Sequence, residues 1–173
     1  VPSFKSYALA NIDTALNLTH NDISSISRGL GLKGKIHILE HQPKKAIELL
    51  EKATSAANAV NAPELAYRWQ FELGQLYAAT GFRSKAISKY EASITNLENI
   101  RNSSLSLKPE LQYEFRDKIE PIYRNYLAFL FQAKNPNLEN IIRLNEKLQI
   151  GELENYLQCG KLGLTSLLDL PLD

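Results

Sequence analysis

The residues best equipped for chemistry stand in one short string, His37-Ile38-Leu39-Glu40-His41. The order H-x-x-E-H suits hydrolytic zinc, because histidines four apart share one helix face. Two other patterns invite a chemical reading. Gly29, Gly31 and Gly34 form a G-x-G-x-x-G, and Cys159 is a single thiol. A dinucleotide-binding glycine turn follows a strand, whereas here a helical pattern runs through the three glycines, so they read as packing positions. Cys159 is far in sequence from His20, His37 and His41, and a nucleophile needs a base within hydrogen-bond reach. It reads as a small residue at a helix end. On these grounds no catalytic residue, metal or cofactor is assigned.

The elements that carry these residues repeat. Lys45-Ala46-Ile47, Leu50 and Ala53 return forty positions later as Lys85-Ala86-Ile87, Tyr90 and Ser93. The offsets of four and three keep these residues on one helix face. Ala8, Ile12 and Ala15 show the same offsets upstream. Gly34 and Gly74 keep the forty-residue step, each followed three positions on by a ring, His37 or Tyr77. A helical glycine costs about 1 kcal/mol relative to alanine, so two in register point to close approach of a neighbouring helix. The repeat also accounts for the histidines without metal: His37 takes the place of Tyr77, and His41 that of Gly81.

Turns divide the pattern. Pro43 follows His41-Gln42, Gly81 lies between Thr80 and Phe82, and Asn61-Ala62-Pro63 separates two further helical patterns. Helices are expected near 3–19, 22–41, 43–60, 63–80 and 83–101. After a polar loop, Pro109 opens a segment striped with Leu111, Phe115, Ile119, Ile122, Tyr126 and Phe129. Pro121 should kink or divide it. A last helix is expected from Leu138 to about Gln158. Seven or eight helices with short turns and no comparable strand pattern predict an all-α, antiparallel helical-hairpin solenoid over residues 1–160. Residues 161–173 form a leucine-rich tail, expected to fold back or to lead into a further domain.

Charge and composition narrow the function. Lys and Arg number 20 against 19 Asp and Glu, and a net charge of +1 gives no general attraction to nucleic acid or to an anionic membrane. The mild basic zone of Arg28, Lys33, Lys35, Lys44, Lys45 and Lys52 is diluted by Glu40, Glu48 and Glu51 and reads as a solvated face. No apolar run is long enough to cross a bilayer, and Val1–Lys5 lacks the form of a signal peptide. One cysteine fits a reducing cytoplasm. Methionine is absent and the chain ends within a leucine-rich stretch, so the natural protein is expected to continue in both directions.

The segment Tyr67 to Glu98 resembles the tetratricopeptide repeat through Leu73-Gly74, Tyr77, Gly81, Ala86 and Tyr90. Trp69 stands one place earlier than that family's tryptophan, and Glu98 where a proline often lies. Ser27 to Asn58 matches at Gly34, Ala46, Leu50 and Ala53, with His37 for the usual tyrosine. The forty-residue step exceeds the family's period of about 34, as longer helices would make it. The run Asn145 to Leu157 looks like the helix that precedes the CHAT domain, a caspase-like peptidase fold, in bacterial proteins. The helix with Tyr123, Tyr126 and Phe129 is similar to the one before it. This resemblance implies a right-handed superhelix upstream of a peptidase-like domain whose catalytic residues lie beyond Asp173.

In such repeats the first helix of each pair lines the concave side. Its outward positions here are Arg28 and Lys35, then Arg68, Phe71, Glu72 and Gln75. They offer cations for a carboxylate, an amide for backbone and an aromatic surface. The expected function is a non-catalytic scaffold that binds a protein, a peptide or a neighbouring domain. Two alternatives stay open: a small zinc-dependent hydrolase using His37, Glu40 and His41, and a structural spacer or oligomerisation element.

Overall fold

The computed structural model describes residues 4–19, 21–104 and 115–168, with side chains described for 4–19, 21–101 and 117–157. Among the described residues the fold is all-α, with seven α-helices and no strand. The chain divides into two compact units, Val1–Ser103 and Ser104–Asp173.

The first unit holds α1 (Phe4–Leu18), α2 (Ile23–Leu39), α3 (Pro43–Ala59), α4 (Pro63–Ala79) and α5 (Arg83–Ser104). These lie within a few residues of the expected spans. The helices α2, α3 and α4 have 17 residues each and are followed by turns of one design. His41, Asn61 and Gly81 are the positive-φ residues, at 57°, 49° and 82°. In each turn the next residue donates back across it: Gln42 N–H to His37 O, Ala62 N–H to Ala57 O and Phe82 N–H to Tyr77 O, all at 2.9 Å. This is the Schellman arrangement, which satisfies carbonyls that a helix end would otherwise leave unpaired. Pro43 and Pro63 then open the next helix, where a missing N–H costs nothing. Helix plus turn therefore repeats every 20 residues, half the step visible in the sequence.

Burial follows the same beat. Ala46, Ala66 and Ala86 are fully buried at the fourth position of successive helices, and Leu50, Gln70 and Tyr90 are buried four residues further on. Ala46 and Ala86 thus share a helix position and complete burial. Each fully buried leucine such as Leu50 or Leu73 contributes about 1.5–3 kcal/mol. Neighbours pack antiparallel, as short turns require. A Cβ built on Gly34 would lie 2.8 Å from Leu50 Cγ, joining α2 and α3, and one on Gly74 would lie 3.0 Å from the Tyr90 ring, joining α4 and α5. The two in-register glycines are therefore matching close-approach points. First helices also meet: Trp69 Nε1 of α4 donates to Ser27 Oγ of α2 at 3.1 Å, and Ser27 in turn donates to Ala53 O of α3 at 2.8 Å. Second helices meet where Lys89 of α5 reaches Glu51 of α3 at 2.8 Å. The unit is a stack of antiparallel helical hairpins. At its end α1 lies along α2, with Leu16 against Gly29 and Lys33 paired to Asp13.

In the second unit a π-helical turn, Phe115–Ile119, runs into α6 (Glu120–Phe131). Pro121 sits in the first turn of α6 and explains the interruption. It has no N–H to give an α-helical bond and its ring crowds the carbonyl four residues back, so the backbone widens before it. A second helix, α7, runs Leu138–Leu168, ten residues past the expected end near Gln158. Asn137 caps it, its side chain accepting from Asn140 N–H at 3.1 Å. Helices α6 and α7 pack together, burying Ile122, Tyr123, Tyr126, Phe129 and Leu130 on one and Ile141, Leu144 and Leu148 on the other. Arg124 reaches Glu152 across the pair at 3.0 Å. The expected helix start at Pro109, the Leu111 position and the end of the tail, 169–173, lie outside the described residues, as do the side chains of Phe115, Cys159 and 161–168.

Candidate functional site

The six residues proposed from sequence to face a partner lie on α2 and α4. The exposed strip of α2 runs Arg28, Leu32, Lys35, Leu39, at steps of four, three and four along one helix face. Leu32 is 49% and Leu39 64% exposed. These two leucines escaped the sequence reading, which followed charge and not the apolar positions between charges. On α4, Arg68 is exposed while Phe71, Glu72 and Gln75 are partly buried. The strips join where Lys35 Nζ meets Glu72 at 2.9 Å. Lys35 and Glu72 are therefore partners of each other, which leaves less free charge than the sequence suggested.

Arg68 is braced from its own helix. Its Nε donates to the Tyr67 hydroxyl at 3.1 Å and its guanidinium lies 5.6 Å from that ring's centroid. Phe71 leans on Tyr90 of α5 with ring centroids 6.0 Å apart, so it is part core and part surface. Burial pushes the Tyr90 hydroxyl up to about 12.

A second polar cluster ties the other side of the stack. Tyr77 OH donates to Glu51 Oε1 at 3.1 Å, while Lys89 holds Oε2 of the same carboxylate. Burial, and then the neighbouring carboxylate, hold the Tyr77 hydroxyl above its ordinary range. Lys85 Nζ lies 5.4 Å from the ring centroids of both Tyr77 and Phe82. Each of these groups has a partner within the fold.

Two groups of the zinc-like string stay together: His37 Nδ1 lies 3.1 Å from Oε2 of Glu40, the residue that caps α2. His41 is exposed in the turn, its backbone in the left-handed region. Among the described residues, no group of three or more His, Cys, Asp or Glu side chains could hold a metal ion. The three glycines of the G-x-G-x-x-G lie inside α2 and face three different elements: Leu16 of α1, Trp69 of α4 and Leu50 of α3. They let a central helix be approached from three sides, and no phosphate-cradling loop is formed.

In the second unit an open hollow lies between Leu127 and Phe131 of α6 and Ile142, Asn145 and Gln149 of α7. Phe131 and Ile142 are exposed there, as is Leu138 at the start of α7. Among the described residues no helix is long and apolar enough to cross a membrane. No family model, curated protein or solved structure matches the chain.

Proposed function

We propose that the chain is a non-catalytic protein-binding scaffold, a tetratricopeptide-like superhelical array that holds a peptide or a neighbouring domain against α2 and α4. The observation that supports this reading is the continuity of the two strips. Arg28, Lys35 and Arg68 bring cations, Leu32, Leu39 and Phe71 bring apolar surface, and the Lys35–Glu72 pair bridges the helices at 2.9 Å. Solvent-facing apolar side chains flanked by Arg and an aromatic ring are the usual makings of a binding surface. In a cytoplasmic bacterial protein with a CHAT domain after these repeats, the array would present partners to that caspase-like domain. Resemblance alone carries that extension.

A peptide array probed with the 173-residue chain tests the binding face. Peptides captured by the unmodified chain are expected to be lost with the charge reversals Lys35→Glu and Arg68→Glu while the helical circular dichroism is unchanged. Retention of every captured peptide by both variants removes the face from consideration.

A further inference from the structure

Helix α7 carries two apolar rows, and α6 covers one of them. Ile141, Leu144 and Leu148 are buried in the contact with α6. A second row lies roughly 100° round the helix: Leu138, Ile142, Asn145, Gln149, Leu153 and Tyr156, at steps of four, three, four, four and three. Every member is exposed, and the apolar ones are each more than half exposed. Ile150 and Leu157 widen the row on one side, and Phe131 of α6 borders it on the other across the open hollow. The row is about 27 Å long. A contiguous exposed apolar surface of this kind marks an interface. Two ion pairs flank it, Arg143 with Glu139 and Arg124 with Glu152, so these charges are already neutralised when a neighbour is laid on the row.

We propose that this row binds the same row of a second copy of the chain, antiparallel, about a two-fold axis level with Lys147. A two-fold interface must be self-complementary, residue i meeting j and j meeting i. The row satisfies this within one position. Reversed about its midpoint, Leu138 meets Tyr156, Ile142 meets Leu153 and Asn145 meets Gln149. Apolar side chains therefore face apolar ones at both ends, and the central amides can bond to each other. A polar pair at the centre of an apolar seam fixes register, since slippage would leave the amides against apolar side chains. Glu146, beside the row, comes level with the amide of Gln149 of the second copy. A parallel pair would instead align both helix dipoles and set Glu146 beside its own copy. One helix-wide seam is small for an obligate dimer, so association in the range of about 1–100 µM is expected. The pairing involves the second unit alone and does not rest on the α2–α4 face.

Sedimentation equilibrium of the 173-residue chain tests this. Between about 1 µM and about 1 mM the mass should rise from 19.5 kDa toward twice that value. Ile142→Glu or Leu153→Glu should weaken association by about a hundredfold, because symmetry repeats each loss, while the helical circular dichroism is kept. The direction of pairing is read by disulfide trapping. In a Cys159→Ser background, Ile142→Cys combined with Leu153→Cys should oxidise to a covalent dimer joined 142 to 153, as mass spectrometry of the linked peptides would identify. Within one chain these positions are about 16 Å apart along the helix, too far for a disulfide. Links of 142 to 142 or of 153 to 153, or no covalent dimer, overturn the antiparallel pairing. A constant mass of 19.5 kDa leaves the row to a different protein and overturns the proposal, as does a dimer that both glutamate variants leave intact.

Discussion

The indole N–H of Trp69 donates to the hydroxyl of Ser27 at 3.1 Å, joining two helices across 42 residues. Ser27 is fully buried and its own O–H donates to Ala53 O, so one hydroxyl locks three helices. Ser27→Ala should lower stability by about 1–3 kcal/mol, because a buried indole N–H loses its acceptor. Trp69→Phe removes the donor and part of the ring together, and should cost a similar amount with a cavity contribution. Urea unfolding gives both values. A Ser27→Ala chain as stable as the parent would show that the bond carries no net stabilisation.

Gly31 and Gly81 should both resist alanine, for different reasons. A Cβ at Gly31 would lie 2.4 Å from the Trp69 ring, which the Ser27 bond holds in place. Overpacking of this kind costs about 1–3 kcal/mol and exceeds the roughly 1 kcal/mol that alanine gains in a helix. At Gly81 there is open space, but φ is +82°, so Gly81→Ala should cost about 1–2 kcal/mol through the backbone alone. Thermal melts of each alanine variant in a Trp69→Leu background separate the cases. The smaller side chain should rescue Gly31→Ala and leave Gly81→Ala as it was.

His41 occupies the equivalent turn position with φ 57°. If its place is set by the turn and not by metal, His41→Gly should raise stability by about 0.5–1 kcal/mol, the left-handed strain outweighing the extra freedom of glycine in the unfolded chain. Chemical denaturation with and without a chelator checks this. Loss of stability in His41→Gly, matched by chelation of the parent, would restore the zinc reading.

Alkaline pH should weaken the first unit. Burial raises the Tyr90 hydroxyl to about 12 and also raises that of Tyr77. Between the ordinary tyrosine value of about 10 and the raised values, the unfolded chain has lost protons that the folded chain keeps, so stability falls as pH rises. Below about 10 the contribution is fully present. Urea midpoints at about pH 9 and about pH 11 should differ, and Tyr90→Phe should reduce the difference. An identical fall in Tyr90→Phe would assign the loss to other groups.

The forty-residue repeat was legible because Ala46 and Ala86, and Gly34 and Gly74, keep both identity and register. The underlying twenty-residue beat was hidden, since the same left-handed turn position carries His41, Asn61 and Gly81, and only glycine announces that conformation in sequence. Ser27 and Ser93 were also missed as ties. Each donates to a carbonyl 26 residues away, Ala53 O and Tyr67 O. A serine on the buried side of a helix is the one available sign, and it does not name its acceptor. Helical spacing proposes six residues for the candidate face, yet the pairing of Lys35 with Glu72 depends on how α2 and α4 are offset. No single helix encodes that offset. Pro121 signalled an interruption without indicating that it would take a π-helical form.

No residue of α1 is buried, although the helix lies along α2. Its detachment exposes little new apolar surface, whereas freeing α4 would strip Leu65, Trp69 and Leu73 of their neighbours at once. The stack should therefore open from one edge inward. Amide protons of α1 should exchange through brief local fraying, and those of α4 should wait for cooperative loss of the whole first unit.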